Sequence, residues 1–579
     1  MTAAVRTRPE LNGAWRRASV LGFMLVCALA VFGRAFFLQV VDKDFLNHRG
    51  DLQHIRNVAL PGHRGAIRDR RGEPLALSAP VSSIWVLPSE LLAAPEYLAA
   101  MAKLLVLRPN EFEKYLRARD DKQFVYLKRQ IDPDEAKRFL ALKAPGVFAQ
   151  PEYRRFYPAA EVAAHVVGFT DVDGRGQEGI ESVQDTALRG VPGSRRVIRD
   201  RAGHVVEDTN DVQEAQPGAD VDLTLDLRLQ YLAYRELKSA VAENHAKGGM
   251  IIVADAVTGD ILALASQPGY NPNRPDDREA ASLRNHAVND SFEPGSTIKP
   301  LLVAQALETH AIKPDYRVDI GPGYFKVGSL TVRDEHATGE MDLATVLAKS
   351  SNVGAAHIGL MLGADSIRDG YQKFGIGESV GSGLPGEAGT VLRPAGQWGQ
   401  IGTATASFGY GLTVNALQLV RAYCAIANDG LMPALSIMRR DHTPPPQRTV
   451  SAQTAITLRK LLEGVTEAGG TATRASITGY RVAGKTGTVK KNGKGGYLEG
   501  SHQSVFIGMI PAERPQLVGL VMIDEPGAGE YFGGYVSAPV FARVLGGAAR
   551  LLQMQPDDVQ AWQNPPAPAA VALAGGGVR

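Results

Sequence analysis

One stretch constrains everything else this chain can be. From Ala18 to Gly33 there are 16 residues without a charge, and after Arg34 seven more run from Ala35 to Val41. Those 24 residues can cross a bilayer as a helix, which takes about 20. Arg6, Arg8, Arg16 and Arg17 precede the run, and basic residues are held on the cytoplasmic side. The amino end, residues 1–17, is therefore expected in the cytoplasm. Arg34 comes late enough for its long stem to reach the far interface. Ala28-Leu29-Ala30 also spells a small-residue cleavage site, the mark of a removed signal peptide. Apolar character resumes with Phe36, Phe37, Leu38, Val40 and Val41, which suits a retained anchor over 18–41. No second span follows, so the remainder is expected to fold on the far side of the membrane.

That remainder is too long for one core. The 579 residues are 44% hydrophobic and 21% charged, which predicts two or three folded units. With 63 basic and 61 acidic residues the net charge is +2. No basic field exists to hold nucleic acid, and none is expected as a partner. The two cysteines, Cys27 and Cys424, fall on different units, so no disulfide is expected, and Cys424 reads as a small buried hydrophobe. The histidines lack metal-ligand spacing. Neither a metal nor another cofactor is expected.

Composition and periodicity divide the exported part. Residues 42–219 are mixed and rather polar. Arg64 to Ala76 reads as two short strands about a turn at Arg71-Gly72, and charged helical segments run from Pro109 to Leu142. After Pro217-Gly218 the chain becomes more apolar, and residues 220–555 read as a second unit. Asp226 to Glu243 has helical spacing, and Met250–Ala254 and Ile261–Ala265 flank a Thr258-Gly259 turn as a hairpin. Three further strands are expected over 480–489, 504–510 and 516–523, and a helix over 538–552. The fold class is thus α+β, an antiparallel sheet covered by helices. Residues 556–579 end Pro-, Ala- and Gly-rich and are expected to be a disordered tail.

Three short patterns carry chemistry. In Ser296-Thr297-Ile298-Lys299 the serine follows Pro294-Gly295 at a helix start. Residues three apart share a helical face, which brings the Lys299 amine near the Ser296 hydroxyl. A desolvated lysine whose pKa has fallen can serve as the base a serine nucleophile needs. Ser350-Ser351-Asn352 follows 54 residues later, a polar break between helical stretches. Lys485-Thr486-Gly487-Thr488 lies 189 residues beyond Ser296, in an apolar strand. Each alone is common; the three in this order are the signature of serine penicillin-recognising enzymes.

With these motifs, residues 220–552 resemble the transpeptidase domain of the penicillin-binding proteins. Gly469-Gly470-Thr471-Ala472, Gly409-Tyr410-Gly411 and Tyr531-Phe532-Gly533-Gly534 are also similar to that family. Residues 42–219 resemble the dimerisation-type pedestal of class B members, and the subtype most resembled is the division-specific penicillin-binding protein 3 type. The resemblance implies a peptidoglycan D,D-transpeptidase that is a target of β-lactams. Ser296 would attack the donor stem peptide, Lys299 would take its proton, and Ser350 would relay a proton to the leaving amine. Asn352 would bond the substrate amide, and Lys485 would hold Ser350. Thr486, Gly487 and Thr488 would receive the substrate carboxylate, the amides of Ser296 and Thr488 would form an oxyanion hole, and Tyr531 and Phe532 would wall the cleft. It further implies a SEDS-type glycan polymerase and other divisome proteins as partners, at the division site of a bacterial inner membrane with the catalytic domain periplasmic.

Literal matches to other motifs fail on context. Gly479 to Thr486 spells a P-loop, which must pass from strand into helix, yet strand-like residues follow Thr486. Gly377 to Gly381 and Gly381 to Gly386 mimic a nucleophile elbow and a dinucleotide loop without the flanking elements those need. The competing functions are a D,D-carboxypeptidase or β-lactamase with the same serine chemistry, and an inactive scaffold or β-lactam sensor. A second, glycosyltransferase activity is disfavoured, because 42–219 is short for it and lacks a Glu-Asp-x-x-Phe pattern.

Overall fold

The structure is a computed structural model, and it describes residues 13–43, 55–60, 62–199, 205–335, 339–493 and 496–563. Gly13–Phe36 is one α-helix, continued by a π-helical turn over Phe37–Val41. Its apolar side chains have no protein cover, and it is long and apolar enough to cross a membrane.

The rest divides into two compact units. The first takes the chain to residue 62 together with 82–152 and 191–216. Its core gathers Ile84, Val86, Leu91, Met101, Phe112, Leu116 and Phe139. The helical region expected over 109–142 is interrupted here. Helices Pro109–Arg117 and Pro133–Ala141, each opened by a proline, flank a strand over Val125–Ile131. Val125 and Ile131 are buried at its ends, and the Gln130 amide donates to Ser83 Oγ at 3.0 Å. Pairing with the strand that carries Ser83 and Ile84 decides the conformation, over a sequence whose lysine and arginine favoured helix.

The second unit holds 63–81, 153–190 and 217–579. Its last segment begins close to 219/220, where composition changes, and it also takes in 63–81 and 153–190. Ile67, Leu75, Val166, Ile180 and Leu188 are buried in the same core as the central sheet. The segments around them are joined by a buried ion network in which Glu181 bridges Arg64 (2.5 Å) and Arg155 (2.6 Å). Polar composition concealed this, because the charges there face one another rather than water.

The central sheet has five strands, β1 (Gly248–Asp255), β2 (Ile261–Gln267), β3 (Ala483–Gly493), β4 (Gly496–Ile510) and β5 (Leu517–Asp524), in the order β2-β1-β5-β4-β3, all antiparallel. This is the sheet expected from two early and three late strands. β1 and β2 are buried almost throughout, so the runs are continuously apolar rather than alternating, as a sheet covered on both faces requires. The helices that position the site are α1 (Leu227–Glu243), α2 (Lys299–Glu308), α3 (Asn352–Leu362), α4 (Ala416–Ala427), α5 (Ala452–Glu463) and α6 (Ala538–Leu551). α4 is buried along its whole length and starts with a reciprocal capping box between Asn415 and Gln418. α6 fits closely over β5, since a Cβ on Gly519 would stand 2.6 Å from Leu545 Cδ2.

Of the stretch 556–579 expected as a tail, residues 556–563 make defined contacts. Val559–Gln563 is helical. Asp557 accepts the Arg481 amide at 2.8 Å, and the Trp562 ring meets Tyr480 edge-on. Asp557 and Trp562, a charge and a large ring before the low-charge residues begin, supply these contacts. Residues 564–579 lie outside the described residues.

Candidate active site

Ser296 stands on a single tight turn, Gly295–Ile298, that runs directly into α2. Gly295 has φ +52°, and a Cβ there would lie 2.7 Å from Val489 of β3. Glycine lets the turn come down against the strand. Lys299, one turn on, is fully buried. Its Nζ donates to the Ser350 carbonyl (2.5 Å), to Ser350 Oγ (3.3 Å) and to Asn352 Oδ1 (2.8 Å). The amine thus ties the first motif to the second, while the Ser296 hydroxyl takes no side-chain partner among the described residues. Catalytic hydrogen bonds are often longer before substrate binds.

The second motif is held from outside itself. Ser350 has φ +59°, which no β-carbon favours, and turns the chain into α3. Asp334 fixes that turn. It accepts the Ser351 hydroxyl and the amides of Asn352 (2.6 Å) and Val353 (3.1 Å). Ser351 in turn caps α3 by accepting the Gly354 amide at 2.8 Å.

Lys485 sits mid-strand on β3, fully buried, paired in register with Ile507. The P-loop spelling therefore ends in strand at Ala483–Thr486 and opens no helix, as its context implied. Lys485 Nζ donates to the Thr486 carbonyl (3.2 Å) and Thr486 Oγ1 (3.4 Å). It makes no hydrogen bond to Ser350, which Lys299 takes instead. Gly487 turns away from the cleft toward the nucleophile turn, where a Cβ would stand 3.0 Å from Thr297 Cγ2. It lets the strand pack closely against the turn that carries Ser296.

These elements enclose a cleft of about 450 Å³. Ser296, Ser350, Asn352, Thr486, Thr488 and Phe532 line it, with Lys299 and Lys485 beneath its floor. Tyr531 is not in the lining; its ring stacks on His502 (4.2 Å) and Phe532 (4.6 Å). The second aromatic at the cleft is Tyr535, under the Arg474 guanidinium at 4.6 Å. Sequence reasoning missed Tyr535, Lys349 and Asp334. Thr471, noticed only for family likeness, bonds Thr486 through the two hydroxyls at 2.9 Å. A larger groove of about 930 Å³, lined by Leu227, Tyr231 and Arg550 among others, contains none of the candidate residues. Among the described residues no cluster of His, Cys, Asp and Glu could hold a metal.

Burial governs the electrostatics. It drives the Lys299 amine well below its ordinary value, the nearby Lys485 charge pushes it further down, and Asp334 opposes both. Burial alone brings Lys485 to about 7. An amine kept near neutrality one helical turn from a half-buried serine that lines the cleft can serve as its base, so the arrangement suits acyl transfer through Ser296.

Comparison with known proteins agrees with this geometry. Residues 249–546 match the penicillin binding protein transpeptidase domain, and 59–223 match the penicillin-binding protein dimerisation domain. PenA of Neisseria gonorrhoeae, named a probable peptidoglycan D,D-transpeptidase, is 40% identical over 95% of both chains. The peptidoglycan D,D-transpeptidase FtsI of Escherichia coli is 38% identical over 94% of this chain and 93% of its own. The solved penicillin binding protein 3 of Mycobacterium tuberculosis, complexed with aztreonam, is 28% identical over 86% of this chain and 98% of its own, with a TM-score of 0.67. A buried lysine joining two motifs beneath a cleft lined by the serine, with a dimerisation domain ahead of it, leaves one family: the chain belongs to the class B penicillin-binding protein transpeptidases of the FtsI type.

Proposed function

We propose that this chain, as a serine peptidoglycan D,D-transpeptidase, cross-links stem peptides during septal wall synthesis, anchored in the inner membrane with its catalytic domain in the periplasm. The observation that carries the chemistry is the buried Lys299 amine, hydrogen-bonded to Ser350 and Asn352 under a cleft that exposes Ser296.

Lys299 takes the Ser296 proton as Oγ attacks the carbonyl of the penultimate D-alanine. The tetrahedral oxyanion is received by the Ser296 and Thr488 amides. The C–N bond breaks, Ser350 relays a proton to the departing D-alanine amine, and an ester to Ser296 remains. An amine of a neighbouring stem peptide then attacks the ester and regenerates the serine. Asn352 bonds the donor's amide, Thr486 and Thr488 hold its terminal carboxylate, Lys485 supplies charge behind them, and Phe532 with Tyr531 behind it bounds the cleft. A β-lactam opens its ring amide on the same hydroxyl and stays as an ester. Residues 42–219 act as the pedestal for a transpeptidase domain over 220–555, with a SEDS-type polymerase and other divisome proteins as partners. The likeness to FtsI supports the septal role.

Labelled penicillin tests the chemistry. Wild type should hold a persistent adduct and Ser296→Ala none; labelling of the alanine variant, or rapid turnover by wild type, would refute the mechanism. A fluorescent fusion tests the site of action: enrichment at the septum is expected, and lateral-wall patches would contradict it.

A further inference from the structure

Three residues before the nucleophile lies a carboxylate that the mechanism does not use. Glu293 is 7% exposed, yet has no cationic partner among the described residues. Its Oε1 accepts the Gly411 amide at 2.8 Å, and its Oε2 accepts the Tyr497 hydroxyl at 2.9 Å. Those two donors belong to different parts of the chain. Gly411 is in the loop after Phe408, whose Gly409 carbonyl accepts the Gly295 amide at 3.1 Å. Phe292 and Val414 exchange backbone hydrogen bonds at 2.9 and 2.8 Å, closing that loop onto the nucleophile segment from its other end. Tyr497 is on the outer arm of the β3–β4 hairpin, opposite Asn492 in register.

The hairpin needs such a tie. Near the sheet it is held on both sides, but its outer part is exposed from Gly496 to Gly500. Its inner arm carries Thr486 and Thr488 into the cleft and Val489 against Gly295. Any outward lean of the arm would carry those residues away from Ser296. The Tyr497 ring meets Tyr410 edge-on at 5.8 Å, which fixes the direction of its hydroxyl. Burial and the Glu293 carboxylate push that phenol above its ordinary value, so it remains a donor at neutral pH.

We propose that Glu293 is a positioning residue that latches the outer arm of the β3–β4 hairpin to the nucleophile turn through Tyr497. The latch sets the distance between Ser296 and the strand that holds the substrate carboxylate. Glu293 touches no reacting atom; it acts on the geometry in which acylation occurs. The inference rests on the acyl-enzyme mechanism proposed above, and its test separates the two.

The full-length protein is reacted with a fluorescent penicillin, and the acylation rate constant is resolved from the affinity of the initial complex. Tyr497→Phe removes one hydroxyl from a half-exposed side chain and leaves the core intact. It should lower the acylation rate constant about tenfold, the loss of one hydrogen bond to a charged acceptor, with initial affinity and Tm little changed. Glu293→Gln keeps one acceptor oxygen and should slow acylation less than Glu293→Ala. Combining Tyr497→Phe with Glu293→Gln should cost less than the product of the single effects. An acylation rate for Tyr497→Phe within twofold of wild type, or faster than it, overturns the latch, as does strict multiplicativity in the double variant. If Glu293→Ala does not fold, Tyr497→Phe and Glu293→Gln still decide the matter. Failure of wild type itself to be acylated would instead remove the parent mechanism.

Discussion

Two lysines meet beneath one cleft, and neither is hydrogen-bonded to a carboxylate among the described residues. Lys299 is bonded to Ser350 and Asn352, and Lys485 to Thr486. Both amines are held below their unfolded values. For Lys485, the unfolded chain binds the extra proton between about pH 7 and the ordinary lysine value of 10.5, so stability rises with pH across that window and the full cost applies below it. The functional consequence concerns Lys299, which the Lys485 charge helps to keep neutral. Removing that charge in Lys485→Ala must raise the Lys299 pKa. The acid limb of the acylation rate should then move to higher pH, whatever happens to its amplitude. A pH profile with fluorescent penicillin reads this directly; a limb that stays in place or moves toward acid would contradict it. Asp334 permits a second prediction. Asp334→Ala leaves the Ser351 hydroxyl and two helix amides without their acceptor, a loss of about 2–3 kcal/mol. Denaturant unfolding should show that loss, and acylation should fall with it because Ser350 and Asn352 lose their anchor. Nothing in Arg333-Asp334-Glu335 announces this role. Asp334 reaches α3 only because the hairpin Tyr324–Val327 and Leu330–Arg333 delivers it there.

Among elements, those that were legible bury apolar runs on both faces. β1, β2 and β5, with α1 and α6, lie within a few residues of where periodicity put them. The strand over Val125–Ile131 was not legible, because its middle is Lys128-Arg129-Gln130 and its conformation comes from its neighbours. Likewise β3 and β4 run past the strand ends expected at 489 and 504, since cross-strand pairing continues to Gly493 and Gly496. The triplet motifs were legible as spelling, but their geometry was not: i,i+3 spacing placed Lys299 beside Ser296, and it reached Ser350 and Asn352 instead. Gly487 shows how an element acts in the site. A Cβ there meets Thr297 at 3.0 Å and the Pro294 carbonyl at 3.4 Å, so Gly487→Ala must move β3 and the nucleophile turn apart by a few tenths of an ångström. The expected outcome is acylation slowed about tenfold, from misplacement of reacting groups, with a Tm within a few degrees of wild type. Equal acylation would show that the strand and turn have slack.

On the scale of the whole molecule, composition and packing disagree about where the catalytic unit begins. The more apolar chain starts after Pro217-Gly218, yet 63–81 and 153–190 belong to the same compact unit. Apolar side chains from these segments, among them Leu75, Val166 and Ile180, complete the core around α1 and the sheet. Tyr270 OH donates to the Ala164 carbonyl at 3.0 Å, and the Asn273 side-chain amide donates to the Tyr157 carbonyl at 2.9 Å. Cutting the chain at residue 219 would expose that apolar surface and leave those donors to water, while the residues lining the cleft all come from 296 onward. Stability and chemistry should therefore separate. A fragment of 220–563 should melt on the order of 10 °C below a chain beginning at residue 55, at about 2–4 °C per kcal/mol lost. Its acylation rate at a temperature where both are folded should remain within about threefold, since the cleft is complete. Thermal unfolding and penicillin labelling on the two proteins decide this. Equal melting temperatures would mean that 63–81 and 153–190 rest on the catalytic core without supporting it, and an inactive but folded fragment would mean that they shape the cleft as well.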